Sequence, residues 1–525
     1  MGVTHWAHSV AGQIPMPGGC TEGDCPRHAR MFLTRCAGTL SGRRPSIDRK
    51  VRRAAPSLPL SCRHANARSA GRATSGRSTR SSMPWLDGGK ELVRARSPQG
   101  LGMGRRLPLP SLRSGVRRML FRFLDAFVHF GRLRVIDAEG CVGSFGPGGT
   151  PAVTIRLHDP GVAWRLLSDP DLAVGEAYMD GTLTIEEGTL REFLDLCVGN
   201  AERLRENPAH RLRAALVKPL RRYRQYNPIR RARANVAHHY DLSGALYDLF
   251  LDRDRQYSCA YFADGNESLE AAQAKKKRHI AAKLLLEPGM TVLDIGCGWG
   301  GLALELARIE RVDVTGITLS REQLKVAQAR AAVAGLDRRV RFVLRDYREE
   351  QGTYDRVVSV GMFEHVGAAH FRTFFEALRR RLKPDGVALL HAIGRMEPPG
   401  GTNPWIEKYI FPGSYCPALS ETLAAVEQAG LWVTDVEILR LHYAETLRHW
   451  LDRFQANRDK ARAIYDERFC RMWEFYLAGC EMAFRGGPMM VFQIQLARRR
   501  DAVPLTRDYI ADRERRYGTA EDVAA

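Results

Sequence analysis

Residues 292–301 read Val-Leu-Asp-Ile-Gly-Cys-Gly-Trp-Gly-Gly, an apolar strand that meets an acidic residue and then a glycine-rich turn. The run is restrictive because a buried strand has to stop, turn through residues free to take unusual backbone angles, and open a helix whose amides can face a ligand. Gly296, Gly298 and Gly301 satisfy the dinucleotide pattern G-x-G-x-x-G, a weak signal when it stands alone. Two neighbours favour S-adenosylmethionine over a nicotinamide. Asp294 stands two residues before the first glycine, where a carboxylate suits an ammonium group and would repel a pyrophosphate. The next strand, Val312 to Ile317, leads into Thr318 without the acid that dinucleotide folds place there for a ribose hydroxyl.

The net charge of +21 invites a nucleic-acid reading until it is located along the chain. Residues 1–118 hold 22 Lys and Arg against 5 Asp and Glu, a balance of +17, and the remaining residues hold 58 against 54, a balance of +4. A nearly neutral body offers no phosphate-binding face. The basic segment is rich in Arg, Ser, Gly and Pro with little hydrophobic periodicity, so residues 1–115 are expected to be a disordered leader. It resembles either an organelle transit peptide or an over-extended start preceding Met83, Met103 or Met119. No stretch reaches the ~18 apolar residues of a membrane span, so any bilayer contact is expected to be peripheral. Eleven cysteines without metal-type spacing suit a reducing cytoplasm, and no metal site is expected.

Helical spacing of Met119, Leu120, Phe123, Leu124 and Phe127 predicts an amphipathic helix over 116–130. Alternation from Ala152 to His158 predicts a strand, and a small α+β domain is expected over 116–205, with turns around a short helix at Gly175 to Gly181. Residues 206–236 read as a basic connector: nine cations between Arg211 and Arg233 with no acid among them. From 237 to 515 the pattern alternates helix and strand. A helix from Ser268 to Leu286 precedes strands at 291, 312–317, 340–345, 354–360, 387–393 and 432–437, which predicts a doubly wound α/β sheet with its ligands at the strand carboxyl ends.

Other segments are dense in chemistry-bearing residues: Asn235 to Phe262, Val360 to Gly367 with Glu364 and His365, Leu389 to Gly394 with His391, and the helix opening at His442-Tyr443. Each residue has a plain structural alternative. Cys259 could be a small buried hydrophobe, His391 a satisfied core histidine, Glu364 a helix cap and Tyr443 a packing residue.

Their joint order is more specific. HHYDLS, YSCAYF, LDIGCGWGG, VGMFEHVG, LHAIG, PWIEKYIFPG and FYLAGCEMAF resemble, in order and approximate spacing over about residues 118–500, the cyclopropane-fatty-acyl-phospholipid synthases. The resemblance implies a class I S-adenosylmethionine-dependent methyltransferase fold. The implied activity adds a methylene carbon across the cis double bond of an unsaturated phospholipid acyl chain, with a bound bicarbonate ion as base. By motif, Cys259, Glu364, His391, Ile393 (through its backbone) and Tyr443 would hold the bicarbonate. Tyr257, Ser258, Asp294, Gly296, Gly298, Thr318 and Gln323 would bind the cofactor, with Asp346 and Tyr347 at its adenine. Tyr240, Tyr261, Phe262 and Phe363 are candidates for stabilising a carbocation with their ring faces. The expected partner is a phospholipid bilayer touched peripherally at the inner, cytoplasmic face, with no nucleic acid, and a homodimer is left open. A nucleic-acid methyltransferase is disfavoured because Gly361-Met362-Phe363-Glu364 replaces the Asn/Asp-Pro-Pro-aromatic segment that holds a base. A sister activity, ending in a methyl branch or methylene group or acting on a carrier-bound acyl chain, is the nearest alternative.

Overall fold

The computed structural model describes residues 110–206 and 244–522. Residues 1–109 of the basic leader, nearly all of the connector and Tyr240 lie outside the described residues; residues 110–115, expected to belong to the disordered leader, are helical instead. The expected amphipathic helix is α1 (Pro110–Phe127), which buries Leu120 and leaves Met119 half exposed. Its chain exit is held by Asn200. That buried side chain accepts from the amides of His129 (2.7 Å) and Phe130 (3.0 Å) and donates to the carbonyls of Phe130 (3.0 Å) and Leu196 (2.7 Å).

Strands β1 (Gly131–Ile136), β2 (Val142–Gly148), β3 (Ala152–Leu157) and β4 (Leu183–Glu187) form a sheet in the order β2-β1-β3-β4. In β1, Leu133 and Val135 turn inward while Arg132 and Arg134 face solvent, as period-two alternation requires. In β3, Thr154 is also buried, because its hydroxyl donates to Glu187 at 2.5 Å. Helices α2 (Pro160–Ser168), α3 (Pro170–Met179) and α4 (Leu190–Glu206) complete this part. The expectation of a glycine turn on both sides of 175–181 is corrected at one end. Gly181 has φ +69, but Gly175 lies inside α3, where a Cβ would stand 2.5 Å from the Trp405 indole. Glycine is there to admit a ring.

The second part begins with α5 (Gly244–Asp248) and α6 (Leu269–Lys283), the latter capped by Ser268 accepting from the Ala271 amide. Then follow β5 (Thr291–Ile295), α7 (Gly301–Glu310), β6 (Asp313–Thr318), α8 (Arg321–Val333), β7 (Val340–Leu344) and β8 (Tyr354–Val360). The chain continues through α9 (Phe371–Arg381), β9 (Leu382–Arg395), α10 (Pro404–Tyr409), α11 (Leu419–Gln428) and β10 (Trp432–Leu439). It closes with α12 (His442–Ala456), α13 (Arg458–Ile464), α14 (Glu467–Arg485), β11 (Met489–Ala497) and α15 (Asp508–Asp522).

The seven strands are ordered β10-β11-β9-β8-β5-β6-β7. Every expected strand is present, within a few residues at its ends. The sequence reading missed β11, which inserts antiparallel between β9 and β10. Because β5 pairs in parallel with β6 on one side and β8 on the other, the order of strands reverses there, and the carboxyl ends of β5 and β8 open into a crevice. One apolar cluster runs from Leu120 through Tyr178, Trp405 and Trp473 to Val491, joining the four-stranded part to α10, α12 and α14.

Candidate active site

The crevice at β5 is a cavity of ≈ 1210 Å³ counted to its open mouth. Its floor is the glycine-rich turn. Gly296 (φ +85) and Gly298 (φ +55) adopt backbone angles that side chains disfavour. At Gly298 a Cβ would meet no protein atom within 4 Å, which leaves that space open for a ligand. All nine residues expected to bind the cofactor line this one cavity: Tyr257, Ser258, Asp294, Gly296, Gly298, Thr318, Gln323, Asp346 and Tyr347.

Asp294 is 1% exposed, and its Oδ2 has no hydrogen-bond partner. Burial pushes its carboxyl up to about 7, opposed by the nearby Lys276. A buried carboxyl oxygen left unpaired is expensive unless a ligand completes it, and the ammonium of S-adenosylmethionine is a fitting group. Thr318 donates to Gln323 Oε1 at 2.9 Å. Gln323 sits in the first turn of α8, whose cap Ser320 accepts from the Gln323 amide. The Gln323 side chain, expected to bind the cofactor, is therefore held at a helix start. Arg348 grips Asp346 with two bonds of 2.8 Å and lies over the Tyr347 ring at 5.3 Å, fixing the opposite end of the cavity.

The five residues expected to hold an ion do not line this cavity. Met362 and His365 face it, while Glu364, between them on a tight turn (Phe363–His365), points away toward β9. Glu364 Oε1 accepts from the Ile393 amide at 2.6 Å, and Oε2 is buried without a hydrogen-bond partner. Burial pushes the Glu364 carboxyl up to about 7. His391 is two residues before Ile393 on β9, and its Nδ1 meets Gln493 of β11 at 3.2 Å. Burial, reinforced by the cations Lys276 and Lys283, holds its imidazole down to about 3, so it is neutral. Cys259 is buried and its thiol is pushed far up by desolvation, so it stays protonated. The adjacent Ala260 amide donates to Thr446, one turn along α12 from Tyr443. Tyr443 itself packs its ring against Trp450 and Phe484. Hence Glu364 and Ile393 are in direct contact, His391 shares the strand of Ile393, and α12 brings Tyr443 to the segment of Cys259.

The orphaned Oε2 could accept from the hydroxyl of a small ion such as bicarbonate. One detail differs from the sequence reading. The Ile393 amide, expected to hold that ion, donates here to Glu364.

Three of the four aromatic candidates for a carbocation, Tyr261, Phe262 and Phe363, are corrected. Phe363 is fully buried among Phe371, Phe374 and Phe375. Tyr261 stacks on His279 at 4.3 Å and on His442 at 5.1 Å, and Phe262 stacks on His449. Their faces are taken up by packing. Conversely, the sequence reading missed Lys276, Gln256 and Trp299 on the cavity wall, and it singled out His365 without placing it there. Lys276 could have been found, because helical spacing from Leu269 and Ala272 through Lys276 to Ile280 and Lys283 puts it on the buried face of α6.

Residues 228–494 match the family described as mycolic acid cyclopropane synthetase, and residues 132–208 match a domain of unknown function, DUF7884. A Pseudomonas putida protein described as a probable fatty acid methyltransferase is 38% identical over 69% of this chain and 90% of its own length. The cyclopropane-fatty-acyl-phospholipid synthase of Escherichia coli (strain K12) is 39% identical over 67% of this chain and 89% of its own. A crystal structure of coclaurine N-methyltransferase, bound to N-methylheliamine and S-adenosylhomocysteine, aligns at TM-score 0.51 and 20% identity. It covers 62% of this chain and 98% of that one, a likeness of fold alone. With a family match over half its residues and both relatives covered over about nine-tenths of their length, the chain belongs to the mycolic acid cyclopropane synthetase family, with the cyclopropane-fatty-acyl-phospholipid synthases, and is an S-adenosylmethionine-dependent methyltransferase.

Proposed function

We propose that this enzyme cyclopropanates unsaturated acyl chains of membrane phospholipids, with bicarbonate as the base. The observation that carries the reading is the placement of Glu364, a buried carboxyl with one oxygen on the Ile393 amide and the other unpartnered, one residue from cavity-lining His365.

An alkene is a weak nucleophile with no proton to remove beforehand. S-adenosylmethionine supplies an electrophilic methyl carried on a sulfonium. The chain's own groups do the rest. Asp294 takes the cofactor's ammonium and the glycine turn admits its body, so that the methyl is held close to the double bond, where proximity lowers the barrier. The alkene π electrons form the new C–C bond as the C–S bond breaks, leaving S-adenosylhomocysteine and a carbocation on the acyl chain. The buried wall around Cys259, Glu364 and Tyr443 keeps water from capturing that cation. Loss of one proton from the transferred methyl closes the ring, for a net gain of one CH₂. Neither neutral His391 nor the protonated Cys259 thiol is a strong acceptor for that proton. An exchangeable bicarbonate oriented by Glu364 is one, and Glu364, poised near neutrality, can take the proton on.

Phospholipid as substrate implies a bilayer as partner. Among the described residues no helix is long and apolar enough to cross a membrane. Attachment at the cytoplasmic face through the connector cations fits a gain of about 1 kcal/mol per cation near anionic lipid. The deciding experiment is mass spectrometry and NMR of lipids from a host expressing the chain. Acyl chains one CH₂ heavier, without olefinic protons and with ring methylene signals, are expected. A methyl branch would move the assignment to the sister activity, and unchanged phospholipids would overturn it.

A further inference from the structure

A cation sits deep in the cofactor cavity with no carboxylate in ion-pair contact among the described residues. Lys276, fully buried on α6, donates to Gln256 Oε1 at 2.8 Å and to Ser258 Oγ at 2.9 Å. Among the described residues no carboxylate is within ion-pair distance of it, whereas its neighbours Lys275 and Lys277 both have one. Burial pushes the ammonium down to about 8, with the more distant Asp252 and Asp254 opposing. Keeping a charged amine in such a place is costly unless a partner arrives from outside the chain.

The same cavity holds the mirror-image anomaly. Asp294 carries an orphaned carboxyl oxygen, and both residues line one wall system with Ser258. An acid lacking a donor and an ammonium with no carboxylate in contact among the described residues are together the complement of an α-amino acid zwitterion. Asp294 answers the ammonium end, and the carboxylate end needs a donor.

Ser258 is built to be that donor. Gln273 Nε2 donates to its carbonyl at 3.0 Å and fixes the backbone. Lys276 occupies an acceptor position of its hydroxyl oxygen, which turns the hydroxyl proton outward as a donor. A bond of this kind, polarised by a buried cation, is stronger than one from an isolated serine. We propose that Lys276 is a positioning residue which recognises the carboxylate of the cofactor's methionine moiety through the Ser258 hydroxyl. The proposal rests on S-adenosylmethionine occupying this cavity.

The test compares two ligands by calorimetry on the full chain: S-adenosylhomocysteine, which carries the amino acid, and 5′-methylthioadenosine, which lacks it. Lys276→Met is expected to weaken S-adenosylhomocysteine about tenfold or more, the scale of one charge-assisted bond, and to leave methylthioadenosine within about twofold of the parent. Ser258→Ala should show the same selective loss. In the Ser258→Ala background, Lys276→Met should add little, because the two side chains act in series. Equal loss of both ligands would assign Lys276 a merely structural role, and fully additive losses would overturn its action through Ser258. If Lys276→Met does not fold, Ser258→Ala decides alone, since retention of full S-adenosylhomocysteine affinity refutes the proposal. Failure of the parent chain to bind either ligand would count against the cofactor assignment of the cavity instead.

Discussion

Replacing Glu364 by glutamine separates activity from stability, and the structure sets both magnitudes. In the folded protein its carboxyl rises from 4.5 to about 7 through burial. Between those values the native state keeps a proton that the unfolded chain has released, so stability falls as pH rises, with no penalty below the lower value and the full penalty above the upper one. A rise of roughly 2.5 units at ~1.4 kcal/mol per unit makes that penalty about 3 kcal/mol in alkaline solution. Glutamine abolishes it while keeping an oxygen to accept the Ile393 amide. The new NH₂ replaces the orphaned Oε2, and failing to find a partner there costs ~1–2 kcal/mol. The variant is therefore expected to be about 1–2 kcal/mol more stable than the parent on the alkaline side of the Glu364 titration. On the acid side it should be equal or slightly weaker. Turnover should fall by ~100-fold or more, the scale of a lost proton-handling group, while S-adenosylhomocysteine binding is unchanged. Urea unfolding on both sides of the titration, with lipid turnover assayed alongside, measures these quantities. Thorough removal of dissolved CO₂ should slow the parent, and added bicarbonate should restore it. Near-full activity in Glu364→Gln with no response to bicarbonate would refute the ion site. A variant no more stable in alkaline than in acid solution would refute the burial argument.

Two further outcomes follow from packing and charge. Gly175→Ala puts a Cβ 2.5 Å from the Trp405 indole and 2.9 Å from Phe475, so it should destabilise the chain by about 1–3 kcal/mol, the cost of overpacking. A thermal midpoint equal to the parent's would show that the ring moves aside freely. If the connector carries membrane attachment, changing Arg221, Arg222, Arg230 and Arg231 to Gln should weaken sedimentation with anionic liposomes at low salt and leave cofactor affinity intact. High salt, where the Debye length shrinks to about 3 Å, should reproduce the effect on the parent, and salt-insensitive binding would point to apolar insertion instead.

The cofactor cavity was legible in the sequence because its parts are local. Asp294, Gly296 and Gly298 lie on one strand and turn, Thr318 and Gln323 on the next strand and helix start, and fold geometry carries these ends to one crevice. What escaped depends on partners distant in the chain. Gln493 and Gln495 interrupt the apolar run of β11, and they are buried only because His391, Lys283 and Tyr509 meet them there. Lys276 lies in a run of three lysines, a pattern that ordinarily marks a solvated face, yet helical period buries it completely and Lys277 nearly so. Tyr261 and Phe363 look available in the sequence, but the rings that cover them come from elsewhere in the chain. Gly175 reads as a turn until Trp405 is seen against it.

The antiparallel insertion of β11 also governs how this enzyme is made. β10 is an edge strand whose neighbour in the sheet is β11, and β9 needs β11 on its free side. On the ribosome both are synthesised first, and β11 begins 50 residues after β10 ends, at 489 against 439. At ~5–20 residues per second, the nascent chain spends roughly 3–10 s with the carboxyl-terminal side of its sheet unzipped and apolar strand edges bare. During that interval His391 lacks Gln493. The proposed ion site is thus among the last features to form, and the interval is the one in which a chaperone has the most to shield.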